Sequence, residues 1–268
     1  MCRTYFLFCR FLMVWLFVLF VVFLNCTAQS RAADFSVVTR LFSSSETVPL
    51  GENTTIFQGD KVYDLPATGD QITFFDKTEN QFVVVNTAKK TWTRISTEQL
   101  LQYTAWVKEK SMESDDPLLR FCAAPQFDVR SESGGKYWRF EHPLLEYRVE
   151  TDTFDEPEIG LQYRSFSDWY ARLNTMLQPQ SLPPFPRLIV NQQIAQKGLL
   201  PKTVHLRISP SPRIGKQELA IRSVHQVHLG LSAKDRERLA WVESCRRKFP
   251  EVSLIAYQNQ SPKSKGSD

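Results

Sequence analysis

The sequence lacks the short motifs that mark common catalytic and metal sites. It contains no G-x-S-x-G, no H-E-x-x-H, no Walker loop and no G-x-G-x-x-G. It has only four histidines and five cysteines, and no two cysteines are spaced as C-x-x-C. The absence of this spacing excludes a thioredoxin-like redox motif and a zinc ribbon. We therefore predict no metal and no cofactor, and the sequence names no reaction.

A net charge of one sign is also lacking outside the first 33 residues. The chain has 33 Lys and Arg against 29 Asp and Glu, but Arg3, Arg10 and Arg31 lie in residues 1–33, which hold no acidic residue. The remainder has 30 basic and 29 acidic residues. This balance gives no long-range positive field, so nucleic acid is not an expected partner.

Only one long apolar run is present, at residues 11–24, and it contains no charge, Gly or Pro. Basic residues before it and small residues after it are typical of an export signal, with cleavage after Ala28 or after Ala32 or Ala33. As a helix the run would span about 21 Å, less than the ~30 Å hydrocarbon core. We predict that residues 1–33 are a signal peptide and that the protein is periplasmic or secreted. The alternative is a signal anchor that contacts the membrane through residues 11–24.

Cysteine is scarce after this leader, where only Cys122 and Cys245 occur. In an oxidising compartment these two residues could form one disulfide. The alternative is a pair of buried free thiols, because the sequence does not give the distance between them. Cys26, at the end of the apolar segment, is a further alternative anchor if it carries a lipid.

Residues 35–95 are predicted to form six consecutive strands. Val, Ile, Phe, Thr and Trp recur between short breaks rich in Gly, Asn, Asp and Pro, which is the composition of pleated strands and their turns. The breaks are too short for crossover helices, so neighbouring strands should pair antiparallel. The predicted strands are 35–42, 54–58, 61–65, 71–76, 81–86 and 91–95.

Two serines mark predicted helix starts. Ser96, followed by Gln99, has the pattern of a capping box, and Ser167 precedes a second amphipathic segment. The predicted helices are 97 to about 111–116, 168–177, 186–196 and a last one capped by Ser232 that runs to Lys248; further strands are predicted near 120–130, 136–141, 144–151, 203–209 and 218–229.

These elements predict an α+β fold. We expect a curved, mainly antiparallel and half-barrel-like sheet with helices packed on one face. A single domain is expected over residues 34–257, with a proline-rich connector at 178–187 and a flexible tail at 258–268.

The strand at 81–86 lacks the alternation of a strand with one wet face. Its apolar residues point to both sides, so the sheet should be dry on both faces here. Helices should cover one side, and either more protein or an apolar ligand should cover the other. If a ligand lies there, the candidate groove residues are Phe74, Phe82, Val84 and Trp92.

Two polar features suggest metal sites but are better explained without one. His225 and His228 lie on a predicted strand, where residues three apart face opposite sides and do not chelate one ion. The acidic run at 150–158 lacks the ligand spacing and central Gly of an EF-hand loop, which favours a solvated turn.

The strand series resembles a known family. Residues 57–64, 72–76, 82–86 and 90–93 follow one another with the strand lengths and the Lys-Val-Tyr, apolar-Asn and Lys-Thr-Trp-Thr segments that precede a helix in exported half-barrel proteins of the outer-membrane lipoprotein carrier type. The resemblance covers about residues 54–110. It implies a half-barrel fold and carriage of a lipid or lipoprotein, and it carries no functional residue across.

The function expected from these observations is that of an exported, non-enzymatic envelope or secreted protein. Its partner would be a lipid or other apolar ligand in a groove of the curved sheet, or an envelope protein. The alternatives are an extracytoplasmic structural or partner-binding module without a ligand, and a secreted hydrolase that uses carboxylates brought together by the fold.

Overall fold

Eleven strands form one antiparallel sheet in the computed structural model, which describes residues 34–43, 46–211 and 213–260. Their order is β6-β5-β4-β3-β2-β1-β11-β10-β9-β8-β7, so the sheet is open and β6 and β7 are its edges. The strands are β1 Phe35–Ser43, β2 Gly51–Gln58, β3 Lys61–Pro66, β4 Gln71–Asp76, β5 Gln81–Asn86, β6 Thr91–Ser96, β7 Asp128–Glu132, β8 Tyr137–Glu141, β9 Leu145–Thr153, β10 Leu199–Ile208 and β11 Leu219–Leu229.

The first six strands confirm the predicted antiparallel series. Turns of two to four residues join β2 to β6 in sequence order, and Gly59 and Asn80 take the positive φ that such turns require. β4 and β5 have the predicted bounds, and β2 begins three residues before the prediction. The predicted leader at residues 1–33 lies outside the described residues.

Six α-helices occur among the described residues. They are α1 Thr97–Met112, α2 Pro117–Ala123, α3 Pro157–Leu177, α4 Phe185–Ala195, α5 Ala233–Lys248 and α6 Leu254–Gln260. The capping box of α1 is confirmed, because Ser96 Oγ accepts from Gln99 N at 3.1 Å and Gln99 Oε1 accepts from Ser96 N at 2.8 Å. Within the described ranges, no helix is both long and apolar enough to cross a membrane.

Three segments are helical where the sequence predicts something else. α2 occupies the start of the strand predicted near 120–130, and α6 includes residues 258–260 of the predicted tail. α3 begins at Pro157 rather than at 168, so Ser167 is a buried residue inside the helix instead of its cap. Proline is favourable in the first turn of a helix, and the acidic Glu158 suits that turn, so the end of the acidic run starts a helix.

Helices cover both faces of the sheet, so the prediction that they pack on one face was wrong. Leu100 of α1 and Leu173 of α3 pack with Phe82 and Val84 on one face. α2, α4 and α6 also contribute side chains to clusters on that face. α5 packs on the other face, where Leu239, Val242 and Cys245 meet β2 to β6. Its last turn is basic, which complements the helix dipole at that end.

The prediction that β4 and β5 are dry on both sides is confirmed. Phe82 through Val85 are at most 1% exposed. Phe82 stacks on Phe75 at 4.6 Å between ring centroids and faces Phe166 of α3, while Val83 and Val85 face α5. Burying a side chain of this size stabilises the fold by about 1.5–3 kcal/mol, so this hairpin is a main source of stability.

The chain after α5 runs along the open edge of β6. Trp92 N donates to Pro250 O at 3.1 Å, and Val252 N donates to Trp92 O at 2.8 Å. Arg94 holds Glu251 with two hydrogen bonds of 2.6 Å. This edge segment, residues 250–252, links α5 on one face to α6 on the other and occupies hydrogen-bonding groups that an edge strand would otherwise expose.

Candidate functional site

A cavity of about 660 Å³ lies between the sheet and helices α3 and α4. Its floor comes from β1, β2, β3, β10 and β11, and α3 and α4 form its walls. The exposed residues of the β3–β4 turn, 68–71, also line it, so the cavity opens to solvent at that turn. Ligand sites commonly enclose about 300–1,000 Å³, and this cavity falls within that range.

The strands place polar side chains in the cavity by continuing the same face that forms the core. Side chains two residues apart share a face of a strand. On β1, Val37 lies in the core and Thr39 lines the cavity; on β3, Val62 lies in the core and Asp64 lines the cavity. The inward positions therefore change from apolar to polar where the helices no longer fill the space.

Asp64 is buried and held by three donors. Its Oδ1 accepts from Asn53 Nδ2 at 2.6 Å and from Thr55 Oγ1 at 2.7 Å, and its Oδ2 accepts from Tyr170 Oη at 2.8 Å. Burial raises the pKa of the Asp64 carboxyl, and these hydrogen bonds and the charge of Arg187 partly oppose that rise. The carboxyl links α3 to the sheet and has little capacity left for a ligand.

His225 forms the second polar group of the cavity. Its Nδ1 lies 3.0 Å from Thr39 Oγ1 and 3.3 Å from Tyr163 Oη, and its Nε2 lies 3.0 Å from Ser223 Oγ. Burial lowers the pKa of His225 to about 4, and the charge of Arg187 adds to the effect. The imidazole is therefore neutral at physiological pH and is satisfied by hydroxyl groups.

Arg187 places a positive charge at the cavity wall from the first turn of α4. Among the described residues its guanidinium has no ion pair and no hydrogen-bond partner. Its charge nevertheless acts on Asp64, Tyr147 and His225, whose pKa values it lowers. Arg164, the other arginine in the lining, is paired with Asp168 at 3.4 Å.

The opposite side of the cavity is apolar. β10 and β11 contribute aliphatic side chains to the floor, and α4 contributes them to the wall. These residues are Val190, Ile194, Ala195, Leu199, Val204, Leu206 and Ile221. The cavity thus has a polar half near β1 to β3, α3 and the first turn of α4, and an apolar half near β10 and the rest of α4.

The contact between Ser223 and His225 has the distance of a nucleophile and its base, but its other features differ from those of a catalytic pair. Hydroxyl groups, rather than a carboxylate, orient the second ring nitrogen. A histidine with a pKa of about 4 is also a weak base near neutral pH. Within the described part of the chain, no group of three or more His, Cys, Asp and Glu residues could hold a metal ion.

The four predicted groove residues do not come together. Phe82 and Val84 lie in the core beneath α1 and α3, whereas Phe74 and Trp92 lie under α5 on the other face. None of the four is among the residues that line the cavity. The two sides of β5 are covered by helices of the protein itself, which was the alternative to a ligand.

The two cysteines also lie apart. Cys122 of α2 packs against β8 and β9, and Cys245 of α5 packs against β2 to β6 on the other face. Both are free and buried, which agrees with the alternative of two unpaired thiols. Burial raises the pKa of the Cys122 thiol to about 12, so it is not ionised at physiological pH.

Sequence reasoning missed the cavity residues, although two signals were present. Asp64 interrupts a strand at an inward-facing position, which is unusual for a charged residue. His225 and His228 lie on a strand as predicted, and only His225 lines the cavity.

No protein-family model matches the chain, and no curated protein matches it.

Proposed function

We propose that this protein is an exported, non-enzymatic binding protein that holds a lipid or another amphipathic molecule in the cavity between its sheet and helices α3 and α4. The observation that carries this proposal is the cavity of about 660 Å³, which the helices leave unfilled. Well-packed interiors contain few voids larger than a water molecule, so an unfilled space of this size is typical of a ligand site.

The two-sided lining supports an amphipathic ligand. Burying the aliphatic residues of β10 and α4 against a hydrocarbon chain would remove apolar surface from water, at about 25 cal/mol per Å². The polar half offers the hydroxyls of Tyr163 and Ser223 and the guanidinium of Arg187 for a head group. A purely polar ligand would leave the aliphatic half without a partner.

Two sequence features support export and a carrier role. The apolar run at 11–24 has the pattern of an export signal, and residues 54–110 resemble the half-barrel proteins of the lipoprotein carrier type. We propose that the open sheet is such a half-barrel and that α3 and α4 cover its ligand.

A fluorescent fatty-acid titration of the purified, delipidated protein tests the proposal. Val204 points into the cavity from β10, and His205, the next residue, is exposed on the other side of the same strand. We expect Val204→Trp to fill the cavity and weaken binding at least tenfold, whereas His205→Trp should bind as the wild type does. Equal binding by the two variants, or no binding by the wild type, would contradict the proposal.

The hydrolase alternative has its own test. A fluorophosphonate probe reacts with activated serines, and Ser223 is the serine that contacts His225. We expect no labelling of Ser223 at neutral pH, measured by intact mass. Labelling that His225→Gln abolishes would favour a hydrolase over a binding protein.

A further inference from the structure

We propose, on the basis of the proposed function, that the ligand has an anionic oxygen head group and that Arg187 binds it. Carboxylate and phosphate heads share this chemistry. The occupant is thus an amphiphile with one charged end, whose head lies at α4 and whose chain extends along β10.

The hydrogen-bond inventory of the cavity points to this head group. A guanidinium has five N–H donors, and those of Arg187 have no acceptor among the described residues. Its positive charge is unpaired although it stands in a cavity that is partly apolar. Arg187 is half-buried, and an anionic group of a ligand would give its guanidinium a charged partner on the side that faces the cavity.

Two other charged groups of the lining, Asp64 and Arg164, already have partners, and Asp70 lies in the exposed β3–β4 turn. Asp64 accepts three hydrogen bonds from Asn53, Thr55 and Tyr170, and it forms no ion pair with Arg187. Arg164 is paired with Asp168 at 3.4 Å. Arg187 is therefore the cation of the lining that remains available to a ligand within the described ranges.

Guanidinium geometry favours oxygen anions over other heads. Its planar fork matches the two oxygens of a carboxylate or phosphate and forms two parallel, charge-assisted hydrogen bonds. An alcohol head offers one neutral oxygen, and a quaternary ammonium head is repelled by Arg187. Position 187 lies three residues before Val190, on the same face of α4, so a head at Arg187 leaves its chain beside the aliphatic lining.

A series of ligands with one chain and four heads tests this inference. Hexadecanoate, hexadecyl phosphate, hexadecanol and hexadecyltrimethylammonium are compared by displacement of a fluorescent probe from the full-length exported protein, below their micelle concentrations. We expect both anions to bind roughly 10- to 100-fold more tightly than hexadecanol, as hydrogen bonds to charged groups allow. Hexadecyltrimethylammonium should bind more weakly than hexadecanol.

Variants of the two arginines in the lining provide the control. Arg187→Met should abolish the preference for anions and leave hexadecanol binding within about twofold, and Arg187→Lys should restore part of the preference without the bidentate contact. Arg164→Met also removes a positive charge from the lining, but we expect it to keep the preference. Thermal unfolding of each variant checks that the fold is retained.

The possible outcomes separate this inference from the proposed function. If hexadecanol and the anions bind equally to the wild type, the cavity binds amphiphiles and the head-group inference is wrong. If no member of the series binds, the proposed function is contradicted too. A preference that persists in Arg187→Met would assign the head group to another residue and overturn the role of Arg187. Tight binding of only one anion supports the inference and identifies the head.

Discussion

Two polar residues of the cavity, Asp64 and His225, are held in place by neighbouring side chains. Asp64 and His225 lie on strands that are far apart in sequence, and each is fixed by hydroxyl groups from two or more elements. α3 contributes to both, through Tyr170 at Asp64 and Tyr163 at His225. These two tyrosines are seven residues apart, which places them on one face of the helix two turns from each other.

The buried imidazole predicts a pH dependence of stability. The pKa of His225 is about 4 in the folded protein and about 6.5 when the chain is unfolded. Below pH 6.5 the unfolded chain binds a proton that the folded protein does not, so stability falls as the pH decreases from 6.5 to 4. At about 1.4 kcal/mol per pKa unit, the loss reaches about 3 kcal/mol. Above pH 6.5 the ionisation of His225 no longer changes the free energy of unfolding with pH.

Urea unfolding of the wild type and of His225→Gln between pH 7.5 and pH 4 measures this effect. The glutamine keeps a hydrogen-bonding side chain but does not titrate. We expect the free energy of unfolding of the wild type to fall by about 3 kcal/mol more than that of the variant. His142 and His205, whose pKa values are also lowered by burial, contribute equally to both proteins. If the free energy of unfolding falls equally with pH in the wild type and in His225→Gln, the lowered pKa of His225 is not the cause.

At the scale of elements, the β4–β5 hairpin is packed between helices that come from distant parts of the chain. α3 covers one side and α5 the other, so the interior is three layers deep at this point. Consecutive apolar residues on an antiparallel strand are explained by this second cover. Without α5, the same run of apolar residues would expose the side chains of Val83 and Val85 to water.

Matched alanine variants of β5 test the two covers independently. Val84 faces α3 and Val85 faces α5, and both are fully buried. We expect Val84→Ala and Val85→Ala each to lower the free energy of unfolding by about 2 kcal/mol, from lost burial and the cavity that remains. Val129→Ala on β7, where the side chain is 39% exposed, should change it by less than about 0.5 kcal/mol.

A large loss for Val84→Ala with almost none for Val85→Ala would show that α5 does not pack on the sheet in solution.

The strands and the cavity differ in how far the sequence predicts them. The sequence predicts β4 and β5 because turn residues such as Asn80 separate their apolar runs. Both the runs and the turn residues are local signals. The start of α3 was missed because Pro157 follows an acidic run that also suits a turn. The cavity was missed because Thr39 meets His225 across 186 positions, and no local pattern encodes that pairing.

At the scale of the whole molecule, the sheet stays open and its two edges differ. β7 at one edge is exposed along its length and carries charged residues, which discourage pairing with another strand. β6 at the other edge is more apolar and is covered by the edge segment, residues 250–252. The edge segment thus covers β6, whose apolar side chains would not discourage pairing with another strand.

Shortening the chain tests this protection. A protein that ends after Phe249 lacks the edge segment and α6, and we expect β6 to pair with other copies. Light scattering should show larger assemblies than for the full chain, while far-UV circular dichroism keeps its strand signal. A protein that ends after Gln260 retains both features and should match the full chain. Identical scattering by both shortened forms would contradict the role of residues 250–252.

The pairing of β1 with β11 also orders events in time. β1 is the first strand of the sheet and β11 the last, and the floor of the cavity needs both side by side. Contacts between such distant segments form late, because closing a long loop costs chain entropy before any contact compensates for it. We therefore expect a newly made chain to form this cavity only after its C-terminal quarter has emerged.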